Sequence, residues 1–338
     1  MKKTKNLIVL PVMLTMFDGN TNVTTDAGLS NEMKTFYSDY LIDCATPELV
    51  HDQFGQHHPI PKNGGKTIEF RKYDPLPKAL EPLTEGVTPD GKKLTMGIVT
   101  ATVAQYGDYI ELSDVLLLTA IDNNLVQATK ALGRQAGMTL DTITREVLNG
   151  GTNVIYAGGV ADRTAIHYTS EASNCNLKVN DIRKAVRLLK VMSAPRIKGS
   201  YCGIIHPDVS YDLMNDEKWV NVKTYSDPEG IYEGEIGKIE GTRFVETSEG
   251  KIFEKAGASD CNVYSTLILG ADAYGVTEVQ GGGLQHIVKQ LGSAGTADPL
   301  NQRATAGWKA IKVAERLVEA YMVRIESSST FSAEAIIN

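Results

Sequence analysis

The chain has little cysteine, and its four thiols, Cys44, Cys175, Cys202 and Cys261, form no CxxC pair, so neither a zinc ribbon nor a small disulfide scaffold is encoded. No Gly-x-Ser-x-Gly elbow, HExxH helix, GxGxxG turn or EF-hand loop occurs, which withholds the usual linear signatures of catalysis, dinucleotide binding and calcium binding. The apolar run Leu7 to Phe17 is about half the ~20 residues that a membrane helix needs, and Pro11 interrupts it. Positive charge is in deficit: 34 Lys and Arg face 41 Asp and Glu, a net of -7 that repels nucleic-acid phosphate unless a local patch overrides it. No such patch stands out in the sequence. Internal repeats and low-complexity blocks are also missing.

What remains is ordinary globular material. Hydrophobic residues at 42% and charged residues at 22% exclude a disordered or collagen-like chain, and 338 residues exceed a usual single core, so one large unit with subdomains or two domains is expected. The isolated cysteines read as free thiols. Lys2, Lys3 and Lys5 before Leu7 to Phe17 resemble the start of a secretory signal, but no small-x-small cleavage pattern follows. A secreted surface or adhesion protein is therefore the rival reading.

Met33, Phe36, Tyr37, Tyr40 and Leu41 form one helical stripe behind a Ser30 cap. Lys66 to Tyr73 reads as a strand. Between Asp74 and Lys93 lie Pro75, Pro77, Pro82 and Pro89 with an Asp90-Gly91 turn, and Leu94 to Leu112 reads as one long strand. A structureless stretch of about twenty residues inside a compact domain is usually functional. Two strands with a proline-rich apex thus suggest an extended arm that needs a neighbour, although a surface hairpin satisfies the same pattern.

A short helix is expected over Asp114 to Ala120, and a long one over 122–149, stopped by Gly150-Gly151. Gly133 and Gly137 inside it permit either a kink or a close approach. Asn180 to Val191 is amphipathic, with a basic face that reads most simply as solvated. Tyr201 to Ile205 is a buried-strand candidate, and Pro207 starts a helix. Strands follow at Val263 to Leu269, Ala273 to Glu278 and Leu284 to Leu291. Gly292 to Arg303 reads as a second flexible stretch, ahead of an element over Trp308 to Val318, a final strand over Ala320 to Glu326 and a serine-rich tail. Strands at both ends of the chain around central helices imply an α+β fold.

Candidate chemistry is thin. Gly64-Gly65-Lys66-Thr67 resembles the end of a phosphate loop, but the required earlier glycine position holds Ile60. His51, Asp52, His57 and His58 could offer metal ligands, yet adjacent histidines in an extended chain point apart. His167, His206 and His286 read as core or interface residues, and acidic pairs such as Asp216-Glu217 and Glu233 with Glu235 as solvated turns. No catalytic, cofactor-binding or metal residue is therefore assigned.

One broader similarity organises these pieces. The segments 29–37, 59–71 and 83–89, the Gln105-Tyr106-Gly107 strand, Thr142 to Leu148 and Asp298 to Arg303 resemble, in order, the major capsid proteins of tailed phages related to coliphage N-four. The resemblance implies the Hong Kong 97-type shell fold. It assigns 1–65 to an N-terminal arm, 66–112 to an extended β-hairpin loop and 113–177 to a peripheral domain with spine helix 122–149. The axial domain is expected over 178–262, and 263–338 as the return to the peripheral sheet and tail. Expected intersubunit contacts are Pro75, Pro77, Lys78, Pro82, Glu85, Pro89, Asp90 and Gly91 on the loop, with Asp298, Pro299, Asn301 and Arg303 on the return. The implied partners are further copies in pentamers and hexamers, with scaffold, portal and decoration proteins as candidates and double-stranded DNA enclosed without sequence-specific binding. The implied location is the virion, after assembly in host cytoplasm. No membrane, cofactor or metal is implied.

Overall fold

A computed structural model describes residues 41, 44–45, 49–61, 65–73, 76, 78–80, 82, 85–86, 88, 90–119, 124–170, 173–216, 219, 237–278, 282–293 and 298–333. The lysine-led N-terminus lies outside them, as does the expected helix over 30–41 except Leu41, which is helical with Cys44 and Ala45. In chain order the main elements are β1 (Thr67–Tyr73), β2 (Met96–Thr102), β3 (Ala104–Ser113), α1 (Asp114–Thr119), α2 (Asn124–Asn149), β4 (Val154–Tyr156), α3 (Val179–Val191), β5 (Tyr201–Ile205) and α4 (Pro207–Met214). They continue with β6 (Thr242–Glu246), β7 (Val263–Leu269), β8 (Tyr274–Glu278), β9 (Gln285–Lys289), β10 (Arg303–Arg316) and β11 (Met322–Ser327).

Strand β10 is the axis of a five-stranded sheet. It pairs antiparallel with β3 from Arg303↔Ser113 to Lys312↔Ala104, while β9 and β8 share its other edge and Gln56–His57 adds a parallel strand to β8. Its period of two is visible in burial: Ala304, Ala306, Trp308, Ala310, Lys312 and Ala314 point inward. Four of these six are alanines, so helix α2 can lie close against the sheet, where Leu132, Ala136 and Leu140 meet Ala306, Trp308 and Ala310. At 1.5 Å per residue, the 26 residues of α2 extend about 39 Å. Gly133 resolves the kink-or-contact alternative toward contact, because a Cβ there would stand 2.8 Å from the Leu41 carbonyl oxygen and 2.9 Å from Cys44 Cβ.

The second sheet has seven strands. Its path runs from β4 through β11, β7, β5 and β6 to Lys238–Ile239, with Ile252–Phe253 also pairing β7. All seven residues of β7, VYSTLIL, are buried, as expected for a strand covered on both faces. Ile182, Val186 and Leu189 of α3 and Val209 and Leu213 of α4 pack with Ile205 and Ile268 in one core. Leu148 at the end of α2 joins Ile204, Leu267, Leu269 and Val50 in another. The spine helix therefore contacts both sheets.

Two expectations change, and the tail gains a setting. Leu94 to Leu112 is not one strand: β2 ends at Thr102, β3 starts at Ala104, and the two pair in different sheets. The amide of Val103, between them, donates to the Lys66 carbonyl at 2.9 Å. The stretch expected to be flexible up to Arg303 forms a tight turn over 298–302, and β10 begins five residues before Trp308. The serine-rich tail is packed: Ser327, Ser328 and Ser329 are buried, Ser328 Oγ donates to Asn176 Oδ1 at 2.8 Å, and Phe331 meets the Tyr211 ring edge-on at 5.3 Å.

Candidate assembly surfaces and the buried joint behind them

Among the described residues, strands β1 and β2 pair only with each other, from Thr67↔Thr102 to Tyr73↔Met96. An isolated two-stranded hairpin is marginal in water, and its outer edges leave backbone donors and acceptors open to another chain. Its base is anchored. Phe70 is buried, with a Cβ on Gly275 standing only 2.6 Å from its ring, and the His58 ring meets it edge-on at 5.6 Å. Its far part is not: Leu80 is 82% exposed, Leu76 and Leu94 are both 57% exposed, and Met96 and Ile98 are also exposed. Lys78, Pro82, Glu85, Asp90 and Gly91 belong to this exposed stretch. Pro75, Pro77 and Pro89 lie outside the described residues.

Asp298 organises the second candidate segment. Its buried carboxylate accepts from the Arg303 amide at 2.8 Å, its carbonyl accepts from the Asn301 amide at 3.1 Å, and the Gln302 carbonyl accepts from the Asp114 amide at 3.0 Å. Asn301 takes the left-handed conformation, φ 54°, that asparagine tolerates. The turn presents Pro299 and Leu300, the latter 74% exposed, and Arg303, whose guanidinium lies 4.0 Å from Glu111. Because β10 starts opposite Ser113 and the hairpin tip lies beyond Met96, the two candidate segments stand at opposite ends of the 96–113 stretch.

Behind these surfaces is a buried joint that the sequence reading missed. The carboxylate of Asp141 on α2 lies 2.6 Å from His51 Nδ1 and accepts from the His51 amide at 2.7 Å, and both side chains are buried. Next to it, Asp52 accepts from Thr144 Oγ1 at 2.6 Å and from the ammonium of Lys312, which also donates to the Leu140 carbonyl at 3.0 Å. Tyr274 of β8 donates its hydroxyl to the His51 carbonyl. Burial, with Asp52 adding to it, holds this phenol far above its usual range, so it stays a neutral donor. Residues 51–52, α2, β8 and β10 are thus tied by groups that are costly to bury unpaired. The potential metal ligands His51 and Asp52 are therefore committed elsewhere, and no metal-binding cluster occurs among the described residues.

A second ionic group ties β11 to the loop after β4. Glu326 holds Arg163 with a two-bond fork at 2.7 Å on each arm, which raises the Arg163 pKa, and approaches Arg324 at 2.8 Å. Burial lowers the Arg324 pKa. Arg163 Cζ also lies over the Phe253 ring, 3.6 Å from its centre. All four cysteines are free, and burial pushes the Cys202 thiol up to about 12, which leaves it inert.

Comparison with known proteins gives this architecture a class. Residues 97–250 match the family model described as phage capsid protein. The fold is shared with the capsid of Ralstonia phage GP4 at 13% identity over 97% of this chain and 99% of that chain, TM-score 0.64. It is also shared with the capsid of cyanophage P-SCSP1u, at 13% identity over 82% and 87% and TM-score 0.59, and with the mature capsid of bacteriophage PhiM1, at 13% over 82% and 86% and TM-score 0.58. No curated protein sequence matches the chain. The structures establish the Hong Kong 97-type fold. Over residues 97–250, a little under half of the chain, the sequence matches phage capsid proteins, and the fold is that of phage capsids, which supports a role as a structural subunit of a virion shell.

Proposed function

We propose that copies of this chain form rings of five and six that close into an icosahedral head around double-stranded DNA, after assembly in the host cytoplasm. The observation that carries this reading is the hairpin of β1 and β2, anchored at Phe70 but exposing Leu76, Leu80, Leu94, Met96 and Ile98 beyond its own core. Burying an exposed leucine contributes about 2 kcal/mol, so these side chains favour a neighbouring copy as their cover. Residues 75–91 and 298–303 are the two contact segments, one toward each neighbour. Residues 1–65 serve as the arm, 66–112 as the extended loop, 113–177 and 263–338 as the peripheral part around α2, and 178–262 as the axial part at the ring centre. Kinship within the class to the N-four-related phages rests on the segment resemblance. Scaffold, portal and decoration proteins are further candidate partners.

Replacing Leu80, Leu94 and Ile98 together with serine tests the hairpin's role. The expected result is an unchanged far-ultraviolet circular dichroism spectrum with loss of fast-sedimenting oligomers. Oligomers of wild-type size from the folded variant would contradict it.

A further inference from the structure

We infer that the exposed face of α3 and the turn after it bind the phosphate backbone of double-stranded DNA; this rests on the shell reading, which places DNA inside the assembly. The chain's charge is strongly segregated. Between Lys178 and Lys198 stand seven cations and one carboxylate, Asp181, whereas the rest of the chain holds 27 cations against 40 carboxylates. All seven cations are exposed and Asp181 is buried. The sequence hid this patch because its members interleave with the apolar residues that α3 buries at Ile182, Ala185, Val186 and Leu189.

Helical geometry turns the pattern into a stripe. Arg183, Arg187 and Lys190 are spaced by four and three, which places them on one face over about 10 Å of helix. Glu240 accepts from Arg183 Nε at 3.1 Å and Nη2 at 2.7 Å, and Asp181 accepts from Lys184 at 2.9 Å. Among the described residues no carboxylate pairs with Lys178, Arg187, Lys190, Arg196 or Lys198. Guanidinium and ammonium groups on a rigid helix suit phosphate oxygens and read no base sequence. A second copy is the less favoured occupant, because among the described residues the exposed carboxylates, Glu69, Glu111, Asp162, Glu254 and Asp272 among them, are spread over separate strands and loops.

The test is fluorescence anisotropy of a labelled 30-base-pair duplex of arbitrary sequence with the purified full chain, across 50 to 200 mM salt. The five uncompensated cations predict a log–log slope of about -4.5, equivalent to about 500-fold weaker binding over that range. Arg187→Gln with Lys190→Gln should reduce the slope to about -2.7, and Arg187→Glu with Lys190→Glu, which also adds repulsion, should reduce it further or abolish binding. Circular dichroism checks that each variant folds, and negative-stain microscopy checks that each still makes rings and shells. Wild-type chain that binds no duplex, or folded variants that bind as wild type does, overturn the inference. It is also overturned if the duplex never binds and the variants lose their rings, since the stripe would then be a contact between copies. In either case wild-type shells would leave the capsid reading standing, whereas a wild-type chain that makes no rings or shells contradicts that reading itself.

Discussion

His51 Nδ1 lies 2.6 Å from Asp141 Oδ2, although the two residues are 90 positions apart and neither side chain reaches solvent. Removing one partner strands the other in a low-dielectric interior, where the loss is about 3–5 kcal/mol. His51→Ala should therefore lower unfolding free energy by about 3 kcal/mol in urea titration. A loss under about 0.5 kcal/mol would show that the pair does not hold residues 51–52 to α2.

The neighbouring Asp52 and Lys312 pair calls for a double-mutant cycle. Lys312→Met leaves the Asp52 carboxylate with the Thr144 hydroxyl alone, and Asp52→Ala leaves the ammonium with the Leu140 carbonyl. Each single variant should cost about 3 kcal/mol, and the double variant less than the two together, with a coupling of at least about 1 kcal/mol. Additive losses in calorimetry would place the stabilising contribution outside the pair.

Gly133 gives a prediction whose sign is informative. Alanine is favoured over glycine inside a helix by about 1 kcal/mol, so an uncrowded Gly133→Ala would stabilise the fold. A Cβ there meets backbone oxygen of Leu41 at 2.8 Å, and overpacking of this kind costs about 1–3 kcal/mol. Net destabilisation is expected, with faster proteolysis near Leu41. A raised melting temperature would contradict the close packing.

The long periodic elements were legible because the side chains that define them are close in sequence. The apolar positions of α2 recur every three or four residues, and Tyr201 to Ile205 and Val263 to Leu269 are short apolar runs, so helix and strands were readable locally. The break at Val103 was not, because it depends on β2 finding β1 while β3 finds β10, a strand some 200 positions later. The joint at His51, Asp52, Asp141 and Lys312 left no local signal for the same reason. The packing of the serine-rich tail left no local signal either, because hydrogen bonds to the distant Asn176, Asp212 and Asn262 compensate its burial. Hairpin exposure was anticipated from its prolines, but its apolar residues Leu80, Leu94 and Ile98 were not singled out.

Two histidines set a pH dependence. Burial lowers the pKa of His206, against the opposing pull of Asp208 and Glu246, and burial also lowers that of His286. His206 Nδ1 accepts from the Asp208 amide at the start of α4, a role the neutral ring can fill. With folded values below the unfolded value of about 6.5, the unfolded chain binds protons first as pH falls. Stability is fully present above about pH 6.5 and lost as pH drops toward the lowered folded values. His206→Asn, which keeps an acceptor at the cap, should lose less melting temperature between pH 7.5 and 5.5 than wild type. An equal loss would remove His206 from the account.

The most direct test of the central claim is negative-stain electron microscopy of the purified full-length chain, alongside a variant in which residues 75–92 are replaced by a glycine-serine linker. The account predicts five- and six-membered rings or closed shells from the wild type, and folded, unassembled subunits from the variant. Wild-type protein that stays monomeric under all assembly conditions would contradict it.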